Sequence, residues 1–251
     1  MDAPPARPAP FPPLVPAPAR GRSFTVRRRV RWGDADRHGR LRLDAVARYL
    51  QDVANDDTRD AGLDPAAPWV VRRTAIDVVV PPSIGEELAL TTFTGGLGSR
   101  WAERRTSLLG HRGGRVEAAS TWVCLDPDTG RPARLGQDFL ATYQEAGGGR
   151  RIHARHLQGP PPAGVARRPW VVRSTDLDAF GHVNNAATWE PVEDELDRRG
   201  MAPAAATVEY GAAIGPDDAV DLASVAGDGT VALWLLVGDE VRASAVVIPA
   251  A

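Results

Sequence analysis

Two carboxylates, an imidazole, two carboxamides and a glycine stand within Ser174–Asn185, in the order Ser-Thr-Asp-Leu-Asp-Ala-Phe-Gly-His-Val-Asn-Asn. The stretch follows an apolar run, Trp170-Val171-Val172, and precedes a segment with helical character. Asp, Asn and Gly favour turns and helix starts because they bond their own backbone or tolerate left-handed conformations. A strand, a tight turn and a capped helix would account for them. The same groups also suit chemistry on a carbonyl. A carboxylate serves as base or nucleophile, and the first amides of a helix, lacking intrahelical partners, hold negative charge at the positive end of its dipole.

A second copy favours more than a turn. Arg31-Trp32-Gly33-Asp34-Ala35-Asp36-Arg37-His38-Gly39-Arg40-Leu41 aligns without gaps on Arg173–Val183 at a constant offset of 142 residues, with Arg, both Asp and Gly coincident. An internal repeat of this kind fixes the architecture.

Asp178-Ala179-Phe180-Gly181-His182-Val183-Asn184-Asn185 resembles the active-site signature of hotdog-fold thioesterases, in particular the 4-hydroxybenzoyl-CoA thioesterase-like branch. The doubled layout, from Phe24 to Ile248, resembles the acyl-acyl carrier protein thioesterases of plants and bacteria. That resemblance implies an α+β fold: a tandem double hotdog, each half a curved antiparallel sheet wrapped around one long helix, with the active site in the second half. It implies a cytoplasmic enzyme that releases fatty acid from acyl carrier protein, or alternatively from coenzyme A, in fatty acid biosynthesis.

Thioester hydrolysis needs a nucleophile or an activated water, and donors for the oxyanion. No Gly-x-Ser-x-Gly elbow is present, and Cys124 lies among apolar residues, so neither Ser nor Cys is supported. Asp178 remains, as general base on water or as a nucleophile giving a mixed anhydride; the sequence does not separate the two. The amides of Val183 and Asn184 are expected to hold the carbonyl, and Gly181 to let backbone approach the substrate. His182 is placed to bond the carboxylate or the carbonyl, and Asn184 or Asn185 to cap the helix or orient water. Plant-type relatives have Asp-x-Asn-x-His in this loop, where Phe180 takes the middle position. They also carry an acidic residue and a cysteine beyond Glu-Tyr, where this chain has Gly211-Ala212-Ala213-Ile214. Only Asp178 and His182 carry over, consistent with single-domain enzymes that rely on one Asp. The first copy has Arg40-Leu41-Arg42-Leu43 in place of His182-Val183-Asn184-Asn185 and reads as non-catalytic, its domain housing the acyl chain. A hydratase would need a His with an acidic partner on the helix, and a binding protein with a decayed site remains a rival.

Composition sets wider bounds. The chain has 251 residues, 43% hydrophobic and 25% charged, with a net charge of −2. That is enough for two domains of about 100 residues each, and gives no electrostatic case for nucleic acid. A single cysteine allows no internal disulfide. No run of about 18 apolar residues spans a membrane, and the N-terminus lacks a signal-peptide pattern. No metal or redox cofactor is implied; His153 and His156, without Cys or acidic companions, are a weak metal signal. The resemblance implies the acyl carrier as partner, with arginines such as Arg72, Arg73, Arg104, Arg105, Arg167 and Arg168 available to a carrier protein that is acidic in that family, and a second copy of the chain as a further expected partner.

The order of elements follows from periodicity. Residues 1–22, rich in Pro, Ala and Arg, are expected to form a disordered or extended arm. An N-terminal domain over 23–143 opens with a strand at 23–31. Val46, Tyr49, Leu50, Val53 and Ala54 then lie on one helical face, with Asp44 as cap and Gly62 as stop. Strands follow at 69–72, 74–80, 88–94, 99–108 and 116–125. Residues 144–168 read as a linker. The C-terminal domain, 169–251, has an entry strand at 170–173, a helix from about Asn184 to Arg199 interrupted by Pro191, and strands at 206–210, 231–237 and 241–248.

Overall fold

The structure, a computed structural model, describes residues 14–64 and 68–250. Ten strands follow one another as β1 (Ser23–Arg29), β2 (Trp69–Val80), β3 (Glu87–Leu97), β4 (Trp101–Gly110), β5 (Arg115–Cys124), β6 (Arg167–Trp170), β7 (Pro203–Tyr210), β8 (Val220–Gly227), β9 (Thr230–Val237) and β10 (Glu240–Pro249). Three α-helices are interspersed: α1 (Leu43–Asp60), α2 (Gln137–Tyr143) and α3 (Glu190–Arg198). The strands form one antiparallel sheet in the order β1-β3-β4-β5-β2-β7-β10-β9-β8-β6. Read from each edge inward, the two halves repeat one order. They meet where β2 pairs with β7, from Arg73 opposite Glu209 to Asp77 opposite Ala205.

The apolar stripe of α1 supplies Val46, Tyr49, Leu50 and Val53 to the core; Trp189, Val192 and Leu196 do the same from the helical stretch of the second half. Both stripes join a single apolar cluster with the facing residues of the sheet, including Ile76, Ala206 and Val208 at the central seam. Continuous burial of this kind is the main force holding the halves together.

Several details depart from the sequence expectations. The runs 69–72 and 74–80 are one strand, interrupted by a register shift between Val71 and Arg73. The entry strand of the second half is Arg167–Trp170, ending where 170–173 was expected to begin. Strand β8 and helix α2 were not anticipated; β8 carries Asp221, Ser224 and Gly227 in a pattern too polar to stand out. Asp44 does not cap α1. It is buried in the first turn, paired with Arg42 and Arg48, while Arg42 occupies the cap position. Pro191 sits at the start of α3, after a single 3-10 turn over Ala187–Trp189, so the missing amide falls where a helix has no intrahelical donor to lose.

Of the arm expected over 1–22, residues 1–13 lie outside those described. Arg22 is tied to Asp57 and Asp60 at the end of α1, and a side chain at Gly21 would lie 2.3 Å from the Ala146 amide.

The segment 144–168 is a strap rather than a loose connection. Arg150 pairs with Glu103, and the Trp101 indole donates to the Ile152 carbonyl. Further on, Glu209 accepts the amides of Leu157 and Gln158, and the Gln158 carboxamide donates to the carbonyls of Leu233 and Ala245. Finally the Trp234 indole donates to Gly159. The strap therefore binds strands of both halves. Among the described residues no helix is long and apolar enough to cross a membrane.

Candidate active site

The two Asp-containing loops are built alike, bond for bond. Each follows a 3-10 turn, Trp32–Asp34 or Ser174–Asp176. The amide of Asp36 donates to the Arg40 carbonyl and that of Asp178 to His182, both at 2.8 Å. Gly39 and Gly181 donate back to Asp36 and Asp178, with φ of 79° and 76°. This left-handed backbone is why both positions are glycine. One carboxylate oxygen stitches each turn: Asp36 Oδ1 accepts the amides of His38 and Arg40, and Asp178 Oδ1 accepts those of Phe180 at 2.9 Å and His182 at 3.5 Å.

The second oxygen separates the copies. Asp36 Oδ2 accepts Arg40 Nε at 3.0 Å, and Arg40 extends to Glu193 of α3 at 2.6 Å. Burial alone would raise the Asp36 carboxyl, but the Arg40 amide and guanidinium outweigh it and hold the group below its ordinary value. In the second copy His182 replaces Arg40. Among the described residues its exposed ring makes no hydrogen bond, and Asp178 Oδ2 has no donor. Of the two bonds expected of the His182 ring, to the Asp178 carboxylate or to the substrate carbonyl, the first is not formed.

The expected oxyanion donors are also displaced. Val183 N donates to the Ile214 carbonyl and Asn184 N to the Asp176 carbonyl, so neither amide is open to a ligand. The helical stretch starts one residue later. Asn184 is its cap: its carbonyl accepts Thr188 N, and its Oδ1 accepts Ala186 N at 2.8 Å. The first amide of the stretch, Asn185 N, has no partner among the described residues. The Asn185 carbonyl is fixed by the Tyr210 hydroxyl, which in turn accepts the Trp189 indole at 2.8 Å. Burial pushes the Tyr210 phenol far up, keeping it a donor.

Asp178, His182, Val183 and Asn185 line a cleft of about 390 Å³ at the seam between the halves. The first half contributes Pro68–Val71 and Leu125, and the second adds Thr188, the stretch Tyr210–Ile214, and Arg242. The structure therefore brings Asp178, His182 and Asn185 together on one cleft, whereas Gly181 shapes the turn and Asn184 caps the helix. Phe180 is 85% exposed at the cleft mouth. Ala213 and Ile214 offer the cleft no carboxylate or thiol. Cys124, whose thiol burial pushes up, ends β5.

Tyr210, Trp189 and Arg242 were not singled out from sequence. Extending the 142-residue offset into the helices was the one signal within reach, since it superposes Asn185 on Leu43. The arginines considered for a carrier are mostly committed. Arg73 and Arg105 are buried, Arg104 pairs with Asp57, Arg167 with Asp239, and Arg168 with Asp194.

Comparison with known proteins agrees with this layout. The family model for the acyl-ACP thioesterase N-terminal domain matches residues 21–143, and that for the acyl-ACP thioesterase C-terminal domain matches residues 163–238. An uncharacterized protein of Mycobacterium tuberculosis is 34% identical over 235 residues, covering 92% of this chain and 94% of its own. Among solved structures, a Lactobacillus plantarum protein assigned as an oleoyl thioesterase superposes with a TM-score of 0.77 at 21% identity, covering 91% of this chain and 96% of its own. The 12:0-ACP thioesterase from Umbellularia californica superposes with a TM-score of 0.75 at 19% identity, covering 91% and 97%. Those two structures share the fold, and the two domain matches decide the family. With one family domain on each half of the sheet, the chain belongs to the acyl-ACP thioesterases and is a thioester hydrolase.

Proposed function

We propose that the protein is a tandem double hotdog that hydrolyses fatty acyl-acyl carrier protein to free fatty acid and carrier, in fatty acid biosynthesis, with Asp178 as the reacting group. The observation that carries this is the unequal fate of two equivalent carboxylates. The same turn uses Oδ1 in both copies, yet Oδ2 is taken by Arg40 in the first and has no donor among the described residues in the second, where Asp178 lines the cleft. Oδ1 accepting backbone amides fixes the carboxylate plane, so Oδ2 is held in place rather than free to rotate. From there it draws a proton from water as the water attacks, or attacks the thioester carbon itself, expelling the thiolate and leaving a mixed anhydride that water then cleaves to free acid and Asp178. The carbonyl oxygen gathers negative charge in either route, and the Asn185 amide is the donor positioned for it at the start of the helical stretch. Tyr210 serves by holding the Asn185 peptide. His182, exposed beside the cleft, is a proton carrier for the departing thiolate. The absence of the plant-type Asn, acidic and Cys partners leaves an Asp-centred mechanism.

The test is steady-state hydrolysis of a panel of acyl-acyl carrier proteins and acyl-CoAs by the wild type and Asp178→Asn. The amide keeps the shape and cannot act as base or nucleophile. A loss of about 10²-fold or more with an unchanged melting temperature is expected, the usual scale for removing a general base, with carrier-protein substrates preferred over CoA. Equal activity of the variant would move the reacting group elsewhere, and binding without turnover by the wild type would make this an acyl-thioester binding protein.

A further inference from the structure

Beside the cleft, α1 of the first half approaches the start of the second half's helical stretch. Gln51, Ala47 and Leu50 of α1 meet Asn185, Tyr210 and Val71 around a small cavity of about 10 Å³, and the last three of these residues line the main cleft as well. Gln51 is half-buried, and its carboxamide has no hydrogen-bond partner among the described residues.

The first half shows what a helix side chain at this position does. At the offset of 142 residues that relates the two loops, Gln51 corresponds to Glu193 and Asn185 to Leu43. Glu193 crosses from α3 to the opposite half and accepts the Leu43 amide with Oε1 at 2.6 Å, while Oε2 accepts Arg40. In the non-catalytic copy, an oxygen of the opposite helix thus sits on the amide equivalent to Asn185 N, at the place a substrate carbonyl oxygen would take. In the second copy the corresponding residue is a carboxamide. A carboxylate can only accept, and it closes the amide. A carboxamide also carries donors, and it can face the same oxygen atom that the amide binds.

We propose that Gln51 reaches the active site from the first half and donates its Nε2–H to the thioester carbonyl oxygen, forming with Asn185 N a two-donor oxyanion site. The inference rests on the thioesterase reading above. It makes the first half a contributor to catalysis as well as to acyl binding, and explains a Gln at the position where the closed copy has a Glu.

The experiment compares wild type, Asp178→Asn, Gln51→Leu, Gln51→Met and Gln51→Glu on the acyl thioester that wild type turns over fastest, with melting temperatures and with kcat and KM measured from pH 5.5 to 8.5. Gln51→Leu and Gln51→Met are expected to lower kcat by about 10²-fold, the scale of one oxyanion donor, with KM within a few-fold of wild type. Gln51→Glu is expected to fall further at neutral pH, because its carboxylate occupies the Asn185 amide as Glu193 occupies that of Leu43. Its activity relative to wild type should rise as pH falls and the carboxyl regains a donor, a response that a packing role would not produce. If Asp178→Asn is dead while the Gln51 variants keep kcat within twofold, or if Gln51→Glu tracks wild type at every pH, this inference fails and the thioesterase reading stands. If wild type hydrolyses no acyl thioester, both fail together.

Discussion

On the mechanism proposed above, little separates the structural carboxylate of Asp36 from the reacting one of Asp178. Each spends Oδ1 on the amides of its own turn, and the residue four positions on decides the fate of Oδ2. Arg40 supplies a fixed cation that lowers the carboxyl and covers its free oxygen; His182 leaves it uncovered. The contrast predicts that His182→Arg rebuilds the first copy's closure on Asp178. Hydrolysis should drop by about 10²-fold, as if the base were removed, while the melting temperature stays level or rises because an ion pair is added. His182→Ala, which leaves Oδ2 open, should lose less. A His182→Arg enzyme with near wild-type kcat would show that Oδ2 is not the reacting atom.

At the scale of elements, each half's helix carries one side chain across the seam, and only one of the two crossings is closed. Arg40, Asp36 and Glu193 form a chain in which the Arg40 and Glu193 side chains are only 13% and 10% exposed. Burial alone would lower the Arg40 guanidinium, but Glu193 and Asp36 outweigh it and hold it above its usual value. Glu193→Ala would strand a largely buried cation and the Leu43 amide together. It is expected to destabilise the protein by about 3 kcal/mol, as when one partner of a buried pair is removed, and Glu193→Gln by less, since it keeps an acceptor for the amide. Denaturant unfolding of the wild type and the two variants checks the order; variants as stable as the wild type would mean that the crossing contributes nothing. Much of this was legible in the sequence. The paired turns were, because their shape is encoded in short polar side chains and a glycine within a few residues. The apolar stripe of α1 was legible for the same local reason. The start of the second helical stretch was not, since it depends on tertiary acceptors: Ile214 and Asp176 claim the two amides that sequence spacing offered to the substrate. Nor was Gln51 visible as a partner, because it comes from the other half and reveals itself only once β2 and β7 are known to pair.

At the scale of the whole molecule, the shared apolar core is reinforced by the β2–β7 ladder and by the strap laid across it. The strap's Gly and Pro content reads as a loose linker, yet its backbone is claimed by Glu209, whose buried carboxylate accepts the amides of Leu157 and Gln158 and lies 3.5 Å from Arg73. One residue before that clasp, His156 Nε2 donates to the Tyr210 carbonyl, next to the hydroxyl-bearing side chain that fixes Asn185. Burial first, and then the neighbouring Arg72, lower the His156 imidazole below its ordinary 6.5; Glu209 and the bond to the Tyr210 carbonyl oppose this without cancelling it. The sign of the consequence follows from linkage. The unfolded chain takes up the proton at higher pH than the folded one, so the docked, neutral imidazole contributes stability that is complete above pH 6.5 and is lost as pH falls from there through the depressed folded value. His156→Gln can still donate to the Tyr210 carbonyl and does not titrate. Between pH 8 and pH 5 the wild type should therefore lose melting temperature more steeply than His156→Gln, with the two curves converging in slope above neutrality. Parallel curves across the whole range would show that protonation of His156 is not resisted by the strap. Because the same histidine lies one bond from the Tyr210 peptide, hydrolysis near pH 5.5 should also recover in His156→Gln relative to wild type, if the strap secures the catalytic seam as well as the fold.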